Sequence, residues 1–386
     1  MPTTSPHVSI VVTTYERPRH LDCVLAGLCR QDFTGKFEVI VSDDGSRDET
    51  PELVKRIAKE VPFPIRFLTH EHNGFQPGYC RNVGFAATQA EYVLFLDGDC
   101  VPPPWFVRKH LERRRGGNVF SAPAYRLSEA TSAKIDREAV LALRDLSMIP
   151  SDADRRMRWH HLKQVWYYRL GHPTKPRVLG GNIGVWRDDF AAVNGFDESF
   201  QGWGGEDDDF GARLRRIGVR PRSIAGDAVA AHLWHPRVQS APKKVSQGQN
   251  IDYLKRRGRL ACCRNGLRKR RNDELNVVVT GELDAYPTVV ALLRESGLVY
   301  ARAADPSSNE RRVEIEVLLF PTRRRFAACA VDCRVLAVCE PGVQVPGRLL
   351  RRADVVCRPN ATRRTAPDGQ EHWPLEALPQ AIDAIG

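Results

Sequence analysis

Along the first hundred residues the apolar positions switch repeatedly between two periods. Val8 to Tyr15 (VSIVVTTY) is a β-branched run, and Leu21, Val24, Leu25 and Leu28 then recur at helical spacing within residues 16–31. Residues 37–46 (FEVIVSDDGS) read as a second strand closing in a turn, and 50–61 as a helix with Pro51 in its first turn. Residues 64–71 form a third strand, 78–88 a helix and 91–99 (EYVLFLDGD) a fourth strand. Strands separated by single helices predict parallel pairing with right-handed crossovers. In an open sheet of that kind ligands collect at the carboxyl ends of the strands. Here those ends are Thr13, Thr14 and Tyr15, then Asp43 and Asp44, then Asp97 and Asp99.

Residues 130–177 are charged and aromatic and are predicted helical. Their aromatics, from Trp159 to Tyr168, are expected to pack as core, with a platform for an acceptor as the alternative. A strand, a short helix around Arg187 to Val193 and a turn follow. Phe210, Leu214 and Ile217 then recur at helical spacing, which puts Glu206 to Asp209 in a first turn, where free N–H groups and the helix dipole favour acids. Four consecutive acids exceed what capping needs, and Gly202, Gly204 and Gly205 leave room for a ligand. Beyond residue 273, five strand-like runs alternate with two helical patterns, a second α/β unit in which no phosphate loop or metal cluster is legible. The expected organisation is a first unit over 1–240, a basic linker over 241–273 and a small α/β domain over 274–386.

A chain of 386 residues, 42% of them hydrophobic, is long enough for two cores. It has no apolar run that would span a bilayer, and its N-terminus reads as a first strand rather than a signal peptide. Several of the ten cysteines (Cys23, Cys29, Cys329, Cys339) sit in apolar segments as reduced core residues, and the pair Cys262 and Cys263 lacks zinc-ligand spacing. A cytoplasmic protein is expected. The net charge of +11 is uneven, because nine basic residues and no acid lie between Tyr253 and Asn272. A solvated linker accounts for that run; peripheral contact with an anionic membrane surface, at the inner membrane face, is the next reading. Nucleic acid is not expected as a partner, since its signature interleaves basic residues with exposed aromatics on one face.

The chemistry begins at Val93 to Cys100 (VLFLDGDC), an apolar run ending in two carboxylates. An ionised carboxylate drawn out of water needs a cation, a donor or a way back to solvent. A divalent metal holding a phosphorylated substrate satisfies that need. Acids recur at 202–214 (GWGGEDDDFGARL) and imidazoles at 232–235 (HLWH). Oxygen ligands with an imidazole suit Mn²⁺ or Mg²⁺.

These segments, with RNVGFA and LGGNIGVWRDDFAAVNGFDESFQ, resemble in content and order the catalytic domain of family 2 glycosyltransferases with the GT-A fold, a Rossmann-like mixed sheet flanked by helices. The second half resembles the segment shared by chondroitin-polymerase-type N-acetylhexosaminyltransferases and β-1,4-galactosyltransferases. The likeness covers about residues 7–240. It implies a metal-dependent, inverting transfer of N-acetylhexosamine or galactose from a UDP-sugar to a glycan or polysaccharide acceptor. By resemblance, Thr13, Tyr15, Glu16 and Asp44 lie at the nucleotide and Arg81 orders its pocket. Asp97 faces ribose or metal, Asp99 ligates the metal, and His232 or His235 supplies a further ligand. Gly180, Gly181 and Asn182 meet the donor sugar, Trp203 offers a face for a sugar ring, Glu206 holds a sugar, and Asp207 is the general base. The helix dipole is expected to lower the pKa of Asp207. A nucleotidyltransferase acting on sugar phosphates is the alternative enzyme, although VVTTYERPRHL lacks the glycine-rich loop such enzymes carry after the first strand. A nucleic-acid-binding protein using the basic run is the non-enzymatic one.

Overall fold

The computed structural model describes residues 6–142, 149–236, 248, 250–255, 260–281, 283–302, 313–319, 333–339, 347–351 and 353–385. The chain divides into two compact units, Met1–Asn250 and Ile251–Gly386.

The first unit opens with β1 (Val8–Thr14), α1 (Pro18–Cys29), β2 (Phe37–Asp43), α2 (Thr50–Ile57), β3 (Ile65–Thr69), α3 (Pro77–Ala86) and β4 (Tyr92–Asp97). Next come β5 (Cys100–Val101), α4 (Phe106–Arg113), β6 (Asn118–Ser121), β7 (Tyr125–Arg126), α5 (Glu129–Ser132), α6 (Arg137–Ala142) and α7 (Ser151–Arg169). It continues with β8 (Asn182–Trp186), α8 (Arg187–Ala192), α9 (Glu206–Arg216), β9 (Arg220–Ser223) and β10 (Ala231–His232). Seven strands form one sheet in the order β3-β2-β1-β4-β8-β6-β9. The first four are parallel, as their connecting helices require, while β8 runs antiparallel to both β4 and β6. The sheet is therefore mixed, and its core is built from the apolar runs read above, with Ile10, Val12, Val39, Val41, Leu94 and Leu96 buried against Leu21, Val24, Leu25 and Leu28 of α1.

A second, three-stranded sheet, β5-β10-β7, brings the end of this unit back to the tip of β4. His232 pairs with Cys100 and Ala231 with Val101, and the Leu233 N–H donates to the Asp99 carbonyl at 2.8 Å. Two residues of pairing thus carry HLWH to the Asp-Gly-Asp turn.

The second unit has its own sheet: β11 (Val277–Thr280), β12 (Tyr300–Arg302), β13 (Ile315–Leu319), β14 (Arg334–Val338), β15 (Val355–Arg358), β16 (Arg364–Thr365) and β17 (Glu371–Pro374). Their order is β12-β11-β13-β14-β15-β17-β16, and all neighbours are parallel except β16 and β17. The basic run differs from the linker expected over 241–273. Leu260 lies in the core of this unit, the buried Arg264 donates to the Ile385 and Ile382 carbonyls at 2.7 and 2.8 Å, and Arg270 Nη2 donates to both Glu314 oxygens at 3.0 and 2.8 Å. Guanidinium groups held by carbonyls and a carboxylate are part of a fold. Residues 241–247, 249 and 256–259 of the run, and Cys329, lie outside the described residues. At the other side of the boundary Asn250 donates to the carbonyls of Gln201 and Gly204 at 3.0 and 2.8 Å, so the first unit extends past residue 240. Among the described residues no helix is long and apolar enough to cross a membrane.

Candidate active site

The carboxyl ends of β1, β2 and β4, the start of α9 and the segment after β10 enclose one cleft of about 540 Å³. Thr13, Tyr15, Asp44, Arg81, Asp97, Asp99, Gly180, Gly181, Trp203, Glu206, Asp207, His232 and His235 all line it. Sheet register explains the convergence. Thr13 is level with Ser42 on β2 and with Asp97 on β4, so three strand ends finish in one plane.

Arg81 stands at the centre. Projecting from α3 with only 4% of its surface exposed, it places Nη2 3.1 Å from Asp97 Oδ1 and Nη1 3.4 Å from both Glu206 Oε1 and Asp207 Oδ1. Its guanidinium lies over the Phe196 ring at 5.1 Å. Burial alone would lower its pKa, but Asp97, Asp207 and Glu206 reverse the sign and hold it charged. Planar and five-donored, an arginine can address three carboxylates where an ammonium could not.

Glu206 and Asp207 open α9, and Asp207 Oδ2 accepts the Gly180 N–H at 2.7 Å. The expectation that the dipole lowers the Asp207 pKa is overturned. Burial and then the neighbouring Glu206 push it well above the ordinary carboxylate range, against the pull of Arg81. Glu206 is raised as well, chiefly by burial. A first-turn dipole is worth less than a kilocalorie or so, too little to offset two acids desolvated side by side.

Asp99, at the other end of the cleft, meets Arg17 Nη1 at 3.0 Å and His235 Nε2 at 3.1 Å through Oδ2, and His232 Nε2 lies 3.7 Å from Oδ1. Burial would raise Asp99, but His235, His232 and Arg17 hold it well below the usual carboxylate range. Asp99, His232 and His235 offer ligand atoms within 4.8 Å of one another, as do Asp97, Asp99 and Cys100. His232 Nδ1 is buried without a hydrogen-bond partner, and His235 Nδ1 lies 2.6 Å from the Pro236 carbonyl. The same Nδ1 is 3.1 Å from Arg17 Nη2, so it is shared between a donor and an acceptor while Nε2 faces Asp99. A carboxylate with two imidazoles fits a divalent cation; sequence left His232 and His235 as alternatives, and the fold brings both together.

Asp44 is buried between His72 Nδ1, 3.2 Å from Oδ2, and His70 Nε2, 3.8 Å from Oδ1. Tyr15 stacks on His72 with ring centroids 4.1 Å apart. Burial raises Asp44, with His72 and His70 pulling the other way. Asp43 faces inward instead, bonding Ser46 and Thr69, which is the ordinary turn role. Thr14 Oγ1, Asp44 Oδ1, Arg81 Nε and Glu206 Oε2 join His232 Nδ1 as buried polar atoms without a hydrogen-bond partner, all on cleft residues. These are five of the eleven such atoms among the described residues, and in the cleft they are placed where a polar ligand can satisfy them.

Two expected site residues and the aromatic cluster of α7 sit differently. Asn182 is fully buried, its Nδ2 donating to the Ala228 carbonyl at 2.6 Å and its Oδ1 2.9 Å from His110 Nε2, so it braces β8 instead of lining the cleft. Glu16 is outside the lining too; its backbone has φ 45° and its N–H donates to Ser46 Oγ at 2.7 Å, which turns the chain away after Tyr15. The aromatics of α7 do not reach the cleft, and Trp159 and Trp166 are exposed rather than core. Sequence reading missed Arg17, His70 and His72. The signal for the last two was their position just after β3, at the same edge as the other strand ends.

A mixed Rossmann-like sheet that brings an Asp-x-Asp and an acid-rich helix start to one cleft is the arrangement of a GT-A glycosyltransferase. Residues 9–193 match the family described as glycosyl transferase family 2, and residues 160–236 match the N-terminal domain of galactosyltransferase. The first unit thus carries a region that matches glycosyl transferase family 2 over most of its length. Chondroitin synthase of Escherichia coli is 30% identical over 257 residues, covering 63% of this chain and 37% of its own. Validoxylamine A glucosyltransferase of Streptomyces hygroscopicus subsp. limoneus is 29% identical, covering 62% and 55%. Hyaluronan synthase of Pasteurella multocida is 26% identical, covering 63% and 26%. The chain thus spans a quarter to just over half the length of these relatives. Among solved structures, Staphylococcus aureus TarS 1–349 in complex with UDP-GlcNAc superposes with TM-score 0.43 at 17% identity, covering 64% of each chain.

Proposed function

We propose that the first unit transfers a hexosyl group, N-acetylhexosamine or galactose, from a UDP-sugar to a glycan or polysaccharide hydroxyl with inversion, and that it depends on Mn²⁺ or Mg²⁺. The observation that carries this is the division of one cleft into a carboxylate–imidazole cluster (Asp99, His232, His235) and an acid pair at a helix start (Glu206, Asp207), linked by Arg81 and Asp97.

Asp44, with Thr13 and Tyr15, receives the base, a carboxylate oxygen suiting an imide N–H. Asp97, Asp99, His232 and His235 hold the cation, which when bound neutralises charge on the departing diphosphate. Gly180 and Gly181 present bare backbone to the donor sugar, because a Cβ at Gly181 would stand 2.8 Å from Asp97 Oδ2. Trp203 faces the acceptor ring, and Asp207 Oδ1 takes the acceptor proton. Its raised pKa makes it a stronger base than a surface aspartate. A single displacement by that hydroxyl inverts the anomeric centre.

The test is UDP release from a panel of UDP-sugars, with and without Mn²⁺ and in excess chelator, with product anomericity read by NMR. Turnover that survives chelation, or a product retaining the donor configuration, would overturn the reading.

A further inference from the structure

The 19-residue helix α7 carries its apolar residues on the wrong side for a core helix. Its inner face is made by Ala153, His161 and Tyr168. His161 Nδ1 is 3.1 Å from Ser223 Oγ, Tyr168 Oη donates to Asn118 Oδ1 at 3.1 Å, and Arg220 lies 4.1 Å above the Tyr168 ring. Facing solvent are Trp159, Leu162, Trp166 and Leu170, exposed by 69, 49, 59 and 76%. At 100° per residue these four fall within an arc of ~80°. They make one stripe along the C-terminal half of the helix, from Trp159 to the C-cap Leu170.

Scattered exposed apolar residues need no explanation, but two tryptophans and two leucines in one stripe do. The polar residues around the stripe say what covers it. The helix holds five basic residues, Arg155, Arg156, Arg158, Lys163 and Arg169, against two acids, and Arg158 already pairs with Asp154 at 2.9 Å. On the helical wheel Arg156 and Lys163 flank one side of the stripe, and Arg158 and Arg169 the other. An apolar strip with tryptophans, bordered on both sides by long cationic side chains, matches a boundary where hydrocarbon gives way to phosphate.

We infer that α7 lies in the plane of an anionic lipid bilayer, Trp159, Leu162, Trp166 and Leu170 entering the acyl boundary and the flanking arginines and lysine reaching the headgroup phosphates. Charge complementarity selects this occupant over a second copy of the chain, whose α7, with five basic residues against two acids, carries the same net sign. It also selects it over a neutral glycan, which has no use for the flanking cations. The basic run after Tyr253, the segment first suspected of membrane contact, spends Arg264 and Arg270 inside the second unit.

The test is co-sedimentation of the full chain with vesicles of phosphatidylcholine alone and with a third phosphatidylglycerol, at two salt concentrations, beside Trp159→Ser/Trp166→Ser and Lys163→Glu/Arg169→Glu. The wild type should bind the anionic vesicles at least tenfold more tightly than the neutral ones. The serine pair should lose that binding about tenfold or more, and the reversed charges about fivefold per residue. Both should keep the wild-type thermal midpoint and the wild-type level of UDP release from UDP-sugars in solution. Quenching of wild-type tryptophan emission by lipids brominated near the glycerol should accompany binding, a readout that needs no variant. No binding at physiological salt, or binding that both variants retain, overturns the inference. So does a concentration-dependent dimer lost in the serine pair, which would make a second copy the occupant, or a raised KM for soluble acceptor without vesicle binding, which would make it a glycan.

Discussion

Replacing Arg81 by methionine is the sharpest test of how the cleft is held together. The side chain is of similar length and apolar, so it fills the same space over Phe196 while removing the charge. Three carboxylates, at 3.1, 3.4 and 3.4 Å from the guanidinium, then lose their shared cation. Removing one partner of a buried ion pair costs about 3–5 kcal/mol. Two of the three acids, Asp97 and Asp207, keep 35 and 28% of their side-chain surface in the open cleft, so water recovers part of that loss. About 3 kcal/mol is the reasoned figure, or ~6–12 °C in thermal midpoint for a unit of this size. The pH dependence is more diagnostic than the size. Burial raises both Glu206 and Asp207, with Asp97 repelling the first and Glu206 the second, and without Arg81 they rise further. A carboxylate whose folded pKa exceeds its unfolded one binds more protons when folded, so stability is lost as pH rises between the two values. The deficit of the methionine variant should therefore be largest near pH 8 and shrink as pH falls towards 5. Scanning calorimetry of both proteins across that range checks it. A variant within 2 °C of wild type at pH 8, or a deficit that does not change with pH, refutes the assignment of Arg81 as the common counter-ion.

Arg17→Gln frees Asp99 Oδ2 from a partly exposed charge-assisted bond, so Mn²⁺ should bind the donor-free protein about tenfold more tightly by calorimetric titration; unchanged or weaker binding would show that Arg17 does not compete for that oxygen. Asp207→Asn should lower kcat by roughly 10²- to 10⁴-fold and, because it removes a carboxylate whose charged form the fold disfavours, raise the thermal midpoint at pH 8. In the wild type kcat should climb with pH through a limb above the ordinary carboxylate range, a limb missing from the asparagine variant. Gly181→Ala sets a methyl 2.8 Å from Asp97 Oδ2; circular dichroism should report an intact fold while the KM for donor rises, and an unchanged KM would mean that Asp97 yields freely.

How far the chain could be read depended on the range of the interaction. The parallel half of the sheet was visible because strand and helix periods are local, and the placement of Asp44, Asp97 and Asp99 followed from the rule about strand ends. The acid helix start was visible for the same reason. His232 reached the cleft through pairing with Cys100, 132 positions away in sequence, a register that two residues cannot announce. Asn182 looked like a ligand contact because it follows Gly180 and Gly181, yet strand alternation turns it to the opposite side from the cleft, towards His110. The basic run read as linker because nothing in its composition shows that carbonyls at the far end of the chain, on Ile382 and Ile385, accept from Arg264. In α7 the helical period was correct and only the direction of its apolar face was reversed, which depends on what β9 offers to His161 and Tyr168.

Asn250 has a practical bearing on how this protein is dissected. Its amide clasps the loop that launches α9, yet it lies well past the last recognisable motif. An expression fragment trimmed to residue 240 would keep every cleft side chain and drop that clasp. Comparing that fragment with one ending after Asn250 separates loss of this clasp from loss of the second unit.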